Sequence, residues 1–151
     1  MNTKLANYFS TVIKIGYLPL APGTWGSLAA LAFWYLILPT ISSITFIVTI
    51  VIIFVLGIYT SSITERVLGK IDPSIIVIDE WVGQWIALLF LPKSFVWGIV
   101  AFALFRLFDI WKPYPIHRLD NIKGGFGIMI DDVLAGIYAL IGVQLLRYFI
   151  L

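Results

Sequence analysis

From Ile44 to about Ser62 the chain carries no charge, over roughly the length that crosses a bilayer. Nothing in the rest of the sequence offers enough polar surface to bury such a segment in a water-soluble globule. Hydrophobic residues make up 61% of the chain and charged residues 12%, with a mean hydropathy of +1.02. The bilayer is therefore the solvent for much of the protein. At about 20 residues per span, 151 residues form a single membrane-embedded domain, 1–151, with no separate soluble part. The absence of Cys excludes disulfides, thiolate metal sites and cysteine nucleophiles. A net charge of +2 without a basic block argues against nucleic acid.

The spacing predicts an all-α, polytopic helical bundle of four to five membrane helices with an N-terminal interfacial helix. Residues 1–15 set Leu5, Tyr8, Phe9, Val12 and Ile13 at helical intervals beside Lys4 and Lys14, the pattern of an amphipathic helix lying in the interface. A turn-forming stretch from Gly16 to Ser27 leads into an apolar run from Leu28 to Leu38, which Pro39-Thr40-Ile41-Ser42-Ser43 breaks. After the charge-free stretch, the runs Ile75–Leu91 and Phe95–Trp111 flank Pro92-Lys93-Ser94 as a tight helical hairpin, and a last span runs from about Ile128 to Phe149. If the chain starts inside, eight basic residues fall on the inner side, and Lys93 and Arg147 alone on the outer. Most of the six Trp and seven Tyr residues are expected at the interface or facing lipid.

Two copies of one phrase stand out within this frame. Ile76-Val77-Ile78-Asp79-Glu80 and Ile128-Met129-Ile130-Asp131-Asp132 each place two adjacent carboxylates before an apolar helix, using four of only eight acidic residues. Charges in an apolar span are costly, so they mark function by default. Asp79, Glu80, Asp131 and Asp132, with Asp109 on a third helix, form a hard oxygen-donor set suited to Mg²⁺ or Mn²⁺. Arg106 and Asp109 lie on one helix face with Lys112 a turn further on. Arg106 or Lys112 is placed to grip phosphate oxygens. At about 1.5 Å per residue, Asp79, Glu80, Arg106 and Asp109 lie roughly 18 to 22 Å from the outer turn and meet at one level. In Ala21-Pro22-Gly23-Thr24-Trp25-Gly26-Ser27, Thr24 or Ser27 opens a helix whose free N–H groups make an anion site. Gly83, Ala135 and Gly136 let helices approach closely. His117, the one histidine, reads as a solvated interfacial side chain. A transporter or channel also uses intramembrane carboxylates, but it predicts acids near the midplane and openings to both sides.

The motifs Ala21-Pro22-Gly23-Thr24-Trp25-Gly26-Ser27-Leu28-Ala29-Ala30, Ile78-Asp79-Glu80-Trp81-Val82-Gly83, Phe105-Arg106-Leu107-Phe108-Asp109-Ile110-Trp111-Lys112-Pro113 and Gly127-Ile128-Met129-Ile130-Asp131-Asp132-Val133-Leu134-Ala135-Gly136 resemble those of the phosphatidylglycerophosphatase A family, across nearly the whole chain. The resemblance implies a Mg²⁺-dependent phosphatase of the bacterial inner membrane, active site toward the cytoplasm, acting on phosphatidylglycerophosphate to give phosphatidylglycerol and phosphate. The expected roles are Mg²⁺ ligation by Asp79, Glu80, Asp131 and Asp132, phosphate binding by Arg106, Lys112, Thr24 and Ser27, and proton acceptance by Asp109 or one acid of the pairs.

Overall fold

The computed structural model describes residues 2–37 and 41–150. Among these residues it contains seven α-helices and no strand: α1 (Thr3–Ser10), α2 (Pro22–Ile37), α3 (Ser43–Leu68), α4 (Ile78–Ala87), α5 (Phe95–Trp111), α6 (Ile116–Leu119) and α7 (Gly124–Ile150). Of the expected break after α2, Pro39 and Thr40 lie outside the described residues, and Ser42 caps the start of α3, its hydroxyl accepting from Thr45 N–H at 3.1 Å. Two helices, α3 with 26 residues and α7 with 27, are long and apolar enough to cross a membrane. Along α3, Val51, Ile52 and Val55 are more than half exposed, an apolar flank suited to lipid.

The core is built around α4. Nine of its ten residues are buried, and α2, α3, α5 and α7 all pack against it. The closest approach is to α7, where a Cβ added to Gly136 would stand 2.5 Å from the Gly83 carbonyl oxygen and 3.1 Å from its Cα. Small residues let the two backbones meet. An aromatic cluster fills the opposite side: Phe33 and Phe46 pack on Trp81 and Trp85, ring centroids 5.4 to 5.9 Å apart. The Trp85 indole donates to the Ala30 carbonyl at 3.0 Å. Trp34, Trp81 and Trp85 are thus core residues rather than interfacial ones.

Element boundaries depart from the periodicity in four places. α1 stops at Ser10, because Val12, Ile13 and Lys14 all turn left-handed with φ between 46° and 68° before a 3₁₀ turn at Ile15–Tyr17. α2 begins at Pro22, not at Thr24 or Ser27, since proline suits the first helical position, where its missing N–H goes unneeded. The run 75–91 is helical only over Ile78–Ala87. Ahead of it Val77 N–H donates to the Ser10 carbonyl at 3.0 Å; behind it the freed carbonyls of Leu89 and Phe90 accept from Gln144 Nε2 at 3.1 Å and Arg147 Nη1 at 3.3 Å. Side chains of α7 therefore meet the carbonyls that follow α4, the Leu89 one part-buried and the Phe90 one exposed. Finally, α7 starts at Gly124, as Gly125 presses on α3 and its N–H donates to Ser62 Oγ at 2.9 Å. Tertiary contact overrides the low helix propensity of glycine. The second acidic pair consequently sits two turns inside its helix, not at its mouth.

Candidate active site

At one end of the bundle a cleft of about 310 Å³ collects charged side chains from four stretches of sequence. The first turn of α4 supplies Asp79 and Glu80, the C-terminal part of α5 supplies Arg106, Asp109 and the capping Lys112, and α7 supplies Asp131 and Asp132. All seven of these predicted residues meet there. The start of α2 and the loop at Asp72 and Ser74 complete the lining.

The acids divide by partner. One carboxylate oxygen each from Asp79, Glu80 and Asp132 can lie within 4.8 Å of the others. Asp79 Oδ1, Glu80 Oε2 and Asp132 Oδ2 are buried without a hydrogen-bond partner among protein atoms, an arrangement that unbalanced charge makes costly unless a cation is shared. Asp131 turns aside: it accepts from Lys112 Nζ at 2.7 Å, and Lys112 also reaches Asp120 at 2.6 Å. Burial alone would lower the Lys112 pKa, but its hydrogen bonds and charge attraction to Asp120 and Asp131 outweigh that and hold it above the ordinary lysine value. Lys112 is therefore a permanent cation. Arg106 pairs with Asp109 one turn along α5, while its Nε is buried and unpartnered.

Six carboxylates face two cations in this lining, a formal excess of four negative charges. That excess, the three orphaned oxygens and the all-oxygen donor set fit a hard divalent cation held by Asp79, Glu80 and Asp132.

Gly23 brings the start of α2 into the site. A Cβ there would run into Glu80 Oε1 and stand 3.1 Å from Arg106 Nη1. Thr24 and Ser27 do not line the cleft; the buried Ser27 hydroxyl instead donates to the Gly23 carbonyl at 2.9 Å within its own helix. His117 is exposed beside Tyr114, ring centroids 6.0 Å apart, and is no part of the lining. Asp72, Ser74 and Asp120 were not legible as site residues from motif spacing. The signal for the two aspartates was the scarcity of acids: all eight in the chain line either this cleft or an adjoining cavity of about 220 Å³ that shares Asp72, Lys112 and Asp131 with it.

Carboxylates and cations that converge at one end of an apolar helical bundle suit the binding of a metal ion and a phosphate group. The chain belongs to the phosphatidylglycerophosphatase A family, whose sequence profile matches residues 8–147. It is 45% identical to a phosphatidylglycerophosphatase A of Haemophilus influenzae, covering 90% of this chain and 85% of that protein. With the Escherichia coli phosphatidylglycerophosphatase A it shares 41% identity, over 81% of this chain and 72% of the relative. A Bacteroides thetaiotaomicron protein described provisionally as a phosphatidylinositol-3-phosphatase is 43% identical, over 89% of both chains. No solved structure matches the chain. The protein is thus a phosphatase, and the transporter alternative gives way.

Proposed function

We propose that this protein hydrolyses the terminal phosphomonoester of phosphatidylglycerophosphate to phosphatidylglycerol and inorganic phosphate, with Mg²⁺ as cofactor, at the cytoplasmic face of a bacterial inner membrane. The observation that carries this is the convergence of three buried, unpartnered carboxylate oxygens with Arg106 and Lys112 in one cleft. Two relatives bear the name of that activity. Besides α3 and α7, α2 and α5 cross as well: their 16 and 17 residues reach about 24 to 26 Å at 1.5 Å per residue, close to the hydrocarbon thickness of about 30 Å. The stretch from α4 to the Pro92 turn crosses as well, and five crossings would leave the cleft on the side where basic residues are concentrated, the cytoplasmic one.

Asp79, Glu80 and Asp132 hold the metal, which when bound supplies charge neutralisation at the phosphate and a lowered water pKa. Arg106 offers its guanidinium fork to the phosphate oxygens. Lys112, held between Asp120 and Asp131, adds fixed positive charge where negative charge develops. As Arg106 turns to the phosphate it frees Asp109, which accepts the proton of the attacking water. A P–O bond to water forms as the P–O bond to glycerol breaks, and that proton ends on the departing glycerol oxygen.

Phosphate release from phosphatidylglycerophosphate by the purified protein tests this directly. Release is expected to stop with EDTA and return with Mg²⁺. No release from folded protein in any divalent metal sinks the assignment, and a parallel assay on phosphatidylinositol 3-phosphate shows which headgroup is preferred.

A further inference from the structure

A second groove, of about 670 Å³, runs between α1 and the C-terminal end of α3, and no residue lines both it and the carboxylate cleft. Tyr8, Tyr17 and Val67 give it apolar walls, and Asn7 Oδ1 accepts from the Tyr17 hydroxyl at 3.1 Å. Lys4 and Lys14 both line it. Among the described residues neither ammonium has a carboxylate or hydrogen-bond partner, and every acid of the chain lies around the other cleft and its adjoining cavity. The groove is thus cationic and apolar together.

Its geometry depends on an unfavourable backbone. Val12, Ile13 and Lys14 take φ of 46°, 56° and 68° in succession, a region that β-branched residues avoid. Thr11 holds the turn: its Oγ1 accepts from Lys14 N–H at 3.2 Å and its carbonyl from Gly16 N–H at 3.0 Å. The reversal carries Lys14 and Tyr17 back beside Lys4 and Tyr8. Thr64, in the groove wall, belongs to the last turns of a candidate span, so the groove opens at headgroup level on the same end as the cleft.

We propose that this groove binds an anionic phospholipid that is not hydrolysed, its phosphodiester between Lys4 and Lys14 and an acyl chain along Tyr8, Tyr17 and Val67. Charge complementarity selects the headgroup. A free phosphate ion would leave the apolar walls uncovered, so the occupant is a lipid. This rests on the membrane placement given above but not on the hydrolytic assignment.

Native mass spectrometry of the full chain in neutral detergent, with phosphatidylserine and phosphatidylcholine in competition, tests it without turnover. Wild type is expected to retain one phosphatidylserine with about thirtyfold preference, the order two lysines supply at a membrane surface. Arg106→Ala keeps that preference, and Lys4→Gln/Lys14→Gln loses it at unchanged melting temperature. Should the double variant fold poorly, Lys4→Gln alone, on a regular helix, is expected to lower the preference about fivefold. Millimolar inorganic phosphate leaves the adduct in place. Preference lost in Arg106→Ala and kept in the lysine variants puts the lipid in the carboxylate cleft and overturns the proposal, as does the absence of any preference in wild type or displacement by phosphate. Because phosphate release is not read, either failure is distinguishable from failure of the phosphatase assignment.

Discussion

Adjacent side chains on a helix point about 100° apart, which separates Asp131 from Asp132. Asp132 joins Asp79 and Glu80, while Asp131 faces Lys112. Exchanging each for Asn keeps volume and removes charge, so the two variants should part. Asp132→Asn is expected to raise the Mg²⁺ concentration for half-maximal phosphate release at least about tenfold, the lower end of what loss of even an outer partner does. Asp131→Asn is expected to leave that concentration nearly unchanged and lower the rate through a loosened Lys112; equal metal requirements in both would contradict the division. Asp79, Glu80, Arg106 and Asp109 were legible together because charges are rare in an apolar run and their distance from the Pro92 turn sets them at one depth, whereas Asp72 and Asp120 lie in connections that no motif marks. Thr24 and Ser27 were read into the site but do not line it, since a hydroxyl near a helix start looks like a cap until Pro22 is seen to begin the helix.

At the level of elements, α5 was readable end to end, as Phe95 and Trp111 bound an apolar run broken only by Arg106 and Asp109. Its partner α4 was not. An apolar stretch continues to Leu91, but the helix stops at Ala87 because Gln144 and Arg147 reach across from α7 to the carbonyls of Leu89 and Phe90. Such long-range capping leaves no local pattern. Gln144→Leu removes the part-buried donor, leaves the Leu89 carbonyl unmet, and is expected to cost about 1 kcal/mol. Thermal unfolding in detergent should show the lowered midpoint, whereas an unchanged midpoint would mean that another group takes over the carbonyl.

For the whole molecule, orientation can be read with single cysteines, as the chain has none of its own. In sealed cells a membrane-impermeant maleimide is expected to label Lys93→Cys and spare Lys123→Cys, with the reverse in inverted vesicles. The same pattern in both preparations would refute the assigned sidedness. The crowding of six carboxylates against two cations has a further consequence, this time for how the bundle holds together. Helices α4 and α7 bring Asp79, Glu80 and Asp132 face to face, so a cation bound there would be a strut between them as well as a reagent. Melting temperature should then climb with Mg²⁺, by about 2.7 kcal/mol of stability at a hundred times the dissociation constant, and flatten in Asp132→Asn. A calorimeter or dye melt can therefore rank metals for this site with no lipid in the tube.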